Sequence, residues 1–291
     1  MITCNFAGGL GNNLFQLANL YNIHKKYNTP YFIDRNFQRL TFDGKILKKD
    51  KRFKQSFTFE IPELFENKFV FLDEIKYNTD NMFNYFHYDL KSGDNFLYKE
   101  VQFKENCVYH GYYQSEKYFS DFNIKEEFIL NKKIVSKIKD KYKELFKKPC
   151  ISIQYRLGGD RKLAKIQKFH KNLTPRYYRQ SISEICELNG FKEENINILL
   201  FSDDISLAKR ALEMYKVNFI PINNENNIED FIHMSLCDHN IIGNSTFAWW
   251  SSYFNNNKGT IIAPKDFFGA NYNNFKLDDF YPKHWLIRGA E

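Results

Sequence analysis

The chain has 291 residues, of which 43% are hydrophobic and 26% are charged. This composition is that of a globular protein with one large domain or two ordinary ones, and it excludes general disorder. With 42 Lys and Arg against 35 Asp and Glu, the formal net charge is +7, which favours anionic partners such as nucleotides, phosphates, nucleic acid or acidic lipid without choosing among them.

The first half of the chain begins with a strand, a glycine-rich loop and a helix. The run from Ile2 to Phe6 predicts a short buried strand, and apolar residues at helical spacing predict a helix over 13–27. A second short strand is expected at 31–33. The following residues, 35–105, show only weak periodicity, and two further strands are expected at 69–72 and 107–110.

A lysine-rich amphipathic helix is predicted over 131–148, ended by Pro149. Its apolar side chains share one face, as in an ordinary surface helix whose lysines point to solvent. Weak contact with an acidic membrane surface is the alternative. We place a domain boundary after this helix, which gives domains of 1–148 and 149–291, the last residues being candidates to pack back on the first domain.

From Cys150 onward, apolar strands and amphipathic helices alternate regularly. This alternation predicts an α/β fold with a doubly wound parallel sheet. Thr174 and Pro175 form a typical helix start, with a capping hydroxyl followed by a proline at the first helical position. The predicted strands are 151–155, 196–201, 217–221, 240–243 and 260–263, the last of the sheet, and the predicted helices are 175–188, 205–215, 228–237 and 245–254.

Three polar clusters follow strands of this sheet, at 156–160, 202–204 and 244–246. Ligands of open parallel sheets bind outside the carboxyl ends of the strands. The guanidinium of Arg156 and the N–H groups at the helix start near Ser245 suit a diphosphate, and the carboxylates of the second cluster suit a guanine edge or ribose hydroxyls. Together the clusters predict a nucleotide-diphosphate pocket.

Each cluster also has a purely structural interpretation. Arg156 is equally suited to an interdomain salt bridge, and hydroxyl or carboxylate side chains before a helix are typical caps. The residues open to the capping interpretation are Ser202, Asp204, Ser245 and Thr246.

Other classes of site find less support. The five Cys residues stand far apart without the spacing of zinc ligands, so free thiols in a reducing compartment are expected. The N-terminus resembles no secretory signal, and the predicted location is the cytoplasm, bacterial or that of a viral host. The lysine excess is dispersed and no nucleic-acid-binding motif is present, so nucleic acid is not an expected partner.

Several segments match one family in order along the chain. Residues 8–16, GGLGNNLFQ, resemble its GGLGNQxFQ opening, and 111–119, GYYQSEKYF, resemble its GYFQSxKYF segment. FSDD at 201–204 also fits. The most specific match is 230–250, where DFIHMSLCDHNIIGNSTFAWW is similar to DLxLMSxCxHxIIANSTFSWW. The chain thus resembles the α-1,2-fucosyltransferases, glycosyltransferase family 11.

The resemblance implies a fold and a reaction. The fold would be GT-B-like, with two Rossmann-like domains facing a cleft, the N-terminal one on the acceptor side and the C-terminal one binding the nucleotide sugar. GDP-β-L-fucose would be the co-substrate, with no cofactor and no required metal. Fucose would be transferred, with inversion, to O2 of a terminal galactoside in an oligosaccharide or glycoconjugate.

One family motif is altered in this chain. The pattern HxRRGD falls at 154–160, which reads QYRLGGD. Gln154 replaces the His, Leu157 replaces the second Arg, and one Gly is extra. Because Gln is not a cation and the added Gly displaces Asp160, another GDP-deoxyhexose as donor, or a non-catalytic protein that binds GDP or a glycan, are the alternatives to fucosyl transfer.

The same resemblance assigns roles to individual residues. Arg156 would stabilise the negative charge that grows on the leaving β-phosphate, and Asn12 would lie near the bond that breaks. Asp160 is the candidate base, its structural alternative being to fix the glycine turn or to pair with Arg161. The predicted donor-binding residues are Gly9, Gly11, Gln154, Ser202, Asp203, Asp204, Asn244, Ser245, Thr246 and Phe247. The acceptor-side candidates are His110, Tyr112 and Gln114. The natural acceptor and the oligomeric state stay open.

Overall fold

The computed structural model describes residues 1–34, 60–75, 77, 79–87, 96–215, 217–256, 259–269 and 275–289, with the side chains at 160 and 165 outside that description. The chain divides into two compact units. The first comprises Met1–Asn131 and Lys276–Pro282, and the second comprises Lys132–Phe275 and Lys283–Glu291. This division falls before the predicted domain boundary at 148, which stays a prediction.

The first unit is built on a small parallel sheet. Its elements are β1 (Ile2–Cys4), α1 (Leu10–Tyr27), α2 (Ile61–Leu64), β2 (Phe83–Phe86), β3 (Cys107–His110) and α3 (Ile124–Glu127). The strand order is β1-β3-β2, and both pairs are parallel. Helix α1 starts at Leu10, earlier than predicted, and ends where Asn28 adopts a left-handed conformation and donates its N–H to the His24 carbonyl.

Two strand predictions in this unit are wrong. Residues 31–33 and 69–72 contribute only isolated bridges, Ile2 with Tyr31 and Ile33 with Phe71. Strand β2 was not predicted, because its four residues are largely exposed and show no alternation of buried and solvent-facing side chains. The prediction for 107–110 is confirmed, since all four residues of β3 are buried.

The second unit is a six-stranded parallel sheet, with helices between consecutive strands from β4 to β8. Its elements are α4 (Lys132–Lys141), β4 (Cys150–Gln154), α5 (Ala164–Gln167), α6 (Pro175–Asn189), β5 (Asn197–Phe201), α7 (Ile205–Glu213), β6 (Phe219–Pro221), α8 (Asn227–Leu236), β7 (His239–Ile241), α9 (Thr246–Tyr253), β8 (Ile261–Pro264) and β9 (Leu286–Arg288). The predicted alternation of strands and helices is confirmed. The prediction that 260–263 is the last strand is wrong, because β9 pairs in parallel with β8 at the sheet edge.

Strand order positions the candidate site. The order is β6-β5-β4-β7-β8-β9, so the chain builds outward from β4 on one side and from β7 on the other. The point at which the order reverses lies between β4 and β7, and crevices at such points are where doubly wound sheets bind ligands. The core around these strands is apolar and includes Ile151, Ile153 and Ile241.

Helix α4 is shorter than the predicted 131–148 helix and carries five of its eight lysines. Ile138 is its one fully buried residue among those described, and Lys137 Nζ lies 2.5 Å from Oε1 of the buried Glu229 on α8. Just beyond α4, the ring of Tyr142 lies 4.3 Å from that of His233. These contacts place α4 in the second unit and leave membrane contact as a prediction. Within the described ranges, no helix has the length and apolar character needed to cross a bilayer.

Candidate active site

The ends of β4 and β7 form what we call the switch crevice, residues 154–158 and 243–246. Strand β4 ends at Gln154, and its neighbour β7 ends at Ile241, with Ile153 and Ile241 in register. Two of the three predicted polar clusters therefore lie on adjacent strands, and the third follows β5, the other neighbour of β4. The structure brings all three to the carboxyl edge of one sheet.

The loop that carries Arg156 is tied to Asp203. Oδ1 of Asp203 accepts the N–H of Leu157 at 2.8 Å and the N–H of Gly158 at 2.7 Å. Its other oxygen lies 3.8 Å from Nε of Arg156, with both side chains more than a third exposed. A Cβ on Gly158 would lie 2.7 Å from the Asp203 carbonyl oxygen, so this close approach requires glycine. The altered motif is thus packed down onto the turn after β5.

Ser202 and Asp204 make the contacts expected of a helix cap. Asp204 Oδ1 accepts the N–H of Leu207 in the first turn of α7, and its Oδ2 lies 2.8 Å from Nζ of Lys162. The Lys162 ammonium and the Leu207 N–H lower the pKa of this carboxyl group. Ser202 Oγ accepts the N–H of Asp204. The capping interpretation therefore describes both side chains in this structure, and nucleotide contact by either stays a prediction.

Helix α9 begins at the other side of the crevice. Ser245 precedes it as the N-cap, and its own N–H donates to the Gly243 carbonyl at 2.8 Å. The Asn244 carboxamide donates to the carbonyls of Lys171 and Asp266, which fixes the turn before the helix. Phe247 packs against Phe231, with ring centroids 5.5 Å apart. The positive end of the α9 dipole therefore faces the crevice, where an anion is stabilised.

Arg161 contacts the switch crevice at Asn244, and the sequence did not assign it to ligand binding. It is buried, and its Nη2 donates to the Asn244 carbonyl at 2.9 Å. The guanidinium thus lies against the turn before α9. The loss of the second family Arg at Leu157 was the available signal, because it directs attention to the next Arg along the chain. The side chain of Asp160, the candidate base, lies outside the described part of the structure.

In the first unit, Gln16 holds the glycine loop in place. Its Oε1 accepts the N–H of Ala7 at 3.0 Å, and its Nε2 donates to the carbonyl of Gly111 at 2.9 Å. Gly8 has a left-handed φ of 83°, and a Cβ there would lie 2.2 Å from Nδ2 of Asn12. Gly11 is buried within α1, and Gly9 is its exposed N-cap.

Two predicted residues from different motifs meet in this unit. Nε2 of Gln114 donates to Oδ1 of Asn12 at 2.8 Å, so the helix start and the turn after β3 share one polar contact. Both segments follow the carboxyl ends of adjacent strands, β1 and β3, which is the edge where a ligand is expected. Tyr112 lies in the same turn and is 42% exposed, so its ring is accessible.

His110 is less accessible to a ligand than Tyr112, because its side chain is buried. Its Nε2 lies 2.9 Å from Oδ1 of Asn84, and its ring stacks on Phe86 at 4.4 Å. The side chain is buried, and this burial lowers its pKa to about 4. At neutral pH the His110 imidazole is therefore neutral and packed against Phe86, and its role on the acceptor side stays a prediction.

The sequence was also compared with those of known proteins. The sequence profile of Glycosyl transferase family 11 matches residues 1–288. The chain belongs to this family. It is 26% identical to the O-antigen biosynthesis glycosyltransferase WbnK of Escherichia coli, covering 93% of this chain and 96% of that protein. It is 24% identical to a putative galactoside 2-alpha-L-fucosyltransferase, svh-11, of Caenorhabditis elegans, covering 95% and 75%.

Solved structures support the fold of this family 11 glycosyltransferase. It superposes on fucosyltransferase NodZ from Bradyrhizobium with a TM-score of 0.50 and 13% identity, over 86% of this chain and 91% of that one. A crystal form of POFUT1 in complex with GDP-fucose gives a TM-score of 0.51 at 12% identity, over 89% and 94%. The fold is α/β and GT-B-like, as the resemblance implied.

Proposed function

We propose that this family 11 glycosyltransferase transfers L-fucose from GDP-β-L-fucose to O2 of a galactoside-type acceptor, with inversion and without a metal. One observation carries the proposal: in a chain of this family, the Arg156 loop and the N-terminus of α9 lie on adjacent strand ends at the switch point. NodZ soaked with GDP-fucose and POFUT1 in complex with GDP-fucose share the fold, which supports the donor. The galactoside acceptor draws on the relative from C. elegans.

The chemistry assigns separate tasks to the two units. The acceptor hydroxyl attacks the anomeric carbon from the face opposite GDP, the bond to the β-phosphate oxygen breaks, and negative charge grows on that phosphate. Arg156 and the N-terminus of α9 stabilise this charge, and fixed positive groups of this kind replace a metal ion. Asp160 takes the proton of the acceptor hydroxyl. We assign Asn12 to the reaction centre and its partner Gln114 to the acceptor.

Transfer of another GDP-deoxyhexose is the second candidate. The observation that favours it is the altered loop, in which Gly158 packs against the Asp203 backbone and Leu157 replaces a cation. Compared with the family motif, a donor pocket lined by this loop lacks the guanidinium at position 157 and has a different shape. A donor panel separates the two candidates.

The test is a transfer assay in EDTA with GDP-fucose, GDP-mannose, UDP-galactose and UDP-GlcNAc, each paired with lactose and N-acetyllactosamine. GDP release with fucosylated product supports the proposal, and the rate is expected to be the same with and without EDTA. A requirement for added metal refutes the metal-independent mechanism. GDP binding without transfer from any donor supports a non-catalytic binder instead.

A matched pair of variants tests Arg156. Arg156→Ala is expected to lower transfer by at least about a hundredfold, because a fixed charge facing the leaving phosphate is removed. Arg179→Ala is the control, since Arg179 is similarly exposed but pairs with Glu193 away from the crevice. Retained turnover in Arg156→Ala, or equal losses in both variants, contradicts the assigned role.

A further inference from the structure

Tyr113 has a backbone conformation that its residue type rarely adopts. Among the described residues other than glycine, the φ angle is positive at Asn28, Asn106 and Tyr113, and at Tyr113 it is 51°. Asn tolerates the left-handed region, whereas a bulky residue there is an outlier that costs free energy. Strained backbone of this kind clusters at functional sites. Tyr113 follows β3 closely, so the strain lies at the carboxyl edge of the first unit's sheet.

Aromatic neighbours hold the side chain of Tyr113 in the core of this unit. Its ring stacks on that of His87 with centroids 5.0 Å apart and meets the ring of Tyr118 edge-on at 5.4 Å. It also folds back over Gly111, where a Cβ would lie 2.8 Å from Cζ of Tyr113. These contacts bury the ring, and its burial offsets the cost of the left-handed backbone.

The turn around Tyr113 leaves one side chain exposed. Of residues 107–115, all are buried except Tyr112, which is 42% exposed. Nε2 of Gln16 donates to the carbonyl of Gly111 on one side of Tyr112, and Gln114 donates to the start of α1 on the other. Both flanks of Tyr112 are therefore held by hydrogen bonds, and its ring projects from a fixed turn.

The chemistry of this turn suits an uncharged sugar. Residues 111–115, GYYQS, carry no charged side chain, so the turn lacks the cations that bind a diphosphate. The face of an aromatic ring is negative and attracts the weakly positive C–H groups on the apolar face of a sugar ring. A carboxamide such as that of Gln114 exchanges hydrogen bonds with hydroxyl groups. A ring and a carboxamide together at the ligand edge of the sheet therefore fit a sugar.

We infer that Tyr112 contacts the acceptor, with its ring face against the C–H face of the galactoside, and that Tyr113 is the positioning residue that presents this ring. This assignment rests on the proposed function for the identity of the acceptor. Tyr113 is buried and acts through its neighbour, because its left-handed backbone sends the two successive tyrosine rings to opposite sides, one into the core and one to the surface.

Two substitutions at Tyr112 test the contact. Tyr112→Ala is expected to raise the KM for lactose and N-acetyllactosamine about threefold to tenfold at saturating GDP-fucose, the worth of one aromatic contact. Tyr112→Phe keeps the ring face and is expected to recover most of the lost affinity. The Kd for GDP-fucose, measured by calorimetry without acceptor, is expected to be that of the wild type in both variants. Because the side chain is partly exposed, neither substitution is expected to prevent folding.

The matched control is Tyr27→Ala. Tyr27 is 40% exposed, like Tyr112, but it ends α1, whereas the start of that helix lies at the carboxyl edge of the sheet. Its ring stacks on Phe103 at 4.2 Å, so the substitution removes a similar aromatic contact away from the proposed site. The acceptor KM of this variant is expected to equal that of the wild type.

A second pair of variants tests the role of Tyr113. Tyr113→Gly and Tyr113→Ala remove the same ring, but only glycine adopts a φ of 51° without strain. The Gly variant is therefore expected to have an acceptor KM about threefold lower than the Ala variant, with the difference in KM rather than in kcat. If neither variant folds, the Tyr112 substitutions decide the inference.

Each outcome has a separate meaning. An unchanged acceptor KM in Tyr112→Ala, or an equal rise in Tyr27→Ala, overturns the inference and leaves the proposed function intact. A weaker Kd for GDP-fucose with an unchanged acceptor KM assigns the ring to the donor sugar and also overturns it. Equal acceptor KM values in Tyr113→Gly and Tyr113→Ala overturn the positioning role. Absence of fucosyl transfer by the wild-type protein to either acceptor overturns the proposed function instead.

Discussion

Replacing Asp203 tests most directly how the loop that carries Arg156 is held in place. Its Oδ1 accepts two backbone N–H groups, from Leu157 and Gly158, and its Oδ2 lies 3.8 Å from Nε of Arg156. Asp203→Ala removes all three contacts. Asp203→Asn keeps an oxygen that accepts both N–H groups and removes only the charge, so the pair separates loop anchoring from charge.

The magnitude follows from the contacts. A hydrogen bond to a charged group contributes about 1.5–3 kcal/mol to stability when it is shielded from water. The Asp203 side chain is 38% exposed, so we take about half of that for each of its two bonds. The half-exposed pair with Arg156 adds about 0.5 kcal/mol at most. Asp203→Ala is therefore expected to cost about 2–3 kcal/mol, and Asp203→Asn about 1 kcal/mol.

Urea denaturation and a fucosyl-transfer assay measure the two consequences. Asp203→Ala is expected to lower transfer at least about tenfold, because the loop that carries Arg156 loses its anchor. Asp203→Asn is expected to retain most of the activity. A stability change below about 0.5 kcal/mol in Asp203→Ala refutes the anchoring argument. If Asp203→Asn is stable yet loses GDP affinity, the carboxylate itself contacts the nucleotide, as the sequence predicted.

Two further predictions concern other parts of the protein. Gln16→Leu is expected to cost about 3–5 kcal/mol in urea denaturation, because it leaves the part-buried N–H of Ala7 and the buried carbonyl of Gly111 without their partner; a cost below about 1 kcal/mol contradicts this. Burial raises the pKa of Asp230 to about 6, so its stabilising contribution is present in acid and is lost as the pH rises through 6. Asp230→Asn, which retains the acceptor for Asn224, is therefore expected to stabilise the fold at pH 7.5 by up to about 3 kcal/mol and less at pH 4.5. Thermal unfolding at both pH values measures it, and a pH-independent gain would count against the burial argument.

The sequence alone determined those features that are encoded within a short stretch of chain. Thr174 caps α6 and accepts the N–H of Tyr177, and Gly190 ends that helix in a left-handed conformation, both as local chemistry dictates. From residue 150 onward, alternating apolar strands and amphipathic helices predicted a parallel α/β sheet. Their periodicity shows in the sequence because it reflects which face of each helix or strand is buried. Because ligands bind at the carboxyl ends of parallel strands, the sequence also predicted that 156–160, 202–204 and 244–246 lie at one edge of the sheet. No contact between them had to be known for this prediction.

The tertiary structure decided what depends on residues distant in the chain. Alternation of strands and helices does not fix strand order, so the reversal between β4 and β7 and the edge strand β9 became visible only in the folded sheet. Asp203 accepts the N–H of Leu157, and Gly243 lies against Gln154. Each contact joins two segments far apart in the chain, and neither segment has a local sequence pattern that predicts the contact. Local propensities act over a few residues, whereas these contacts arise when neighbouring strand ends pack side by side.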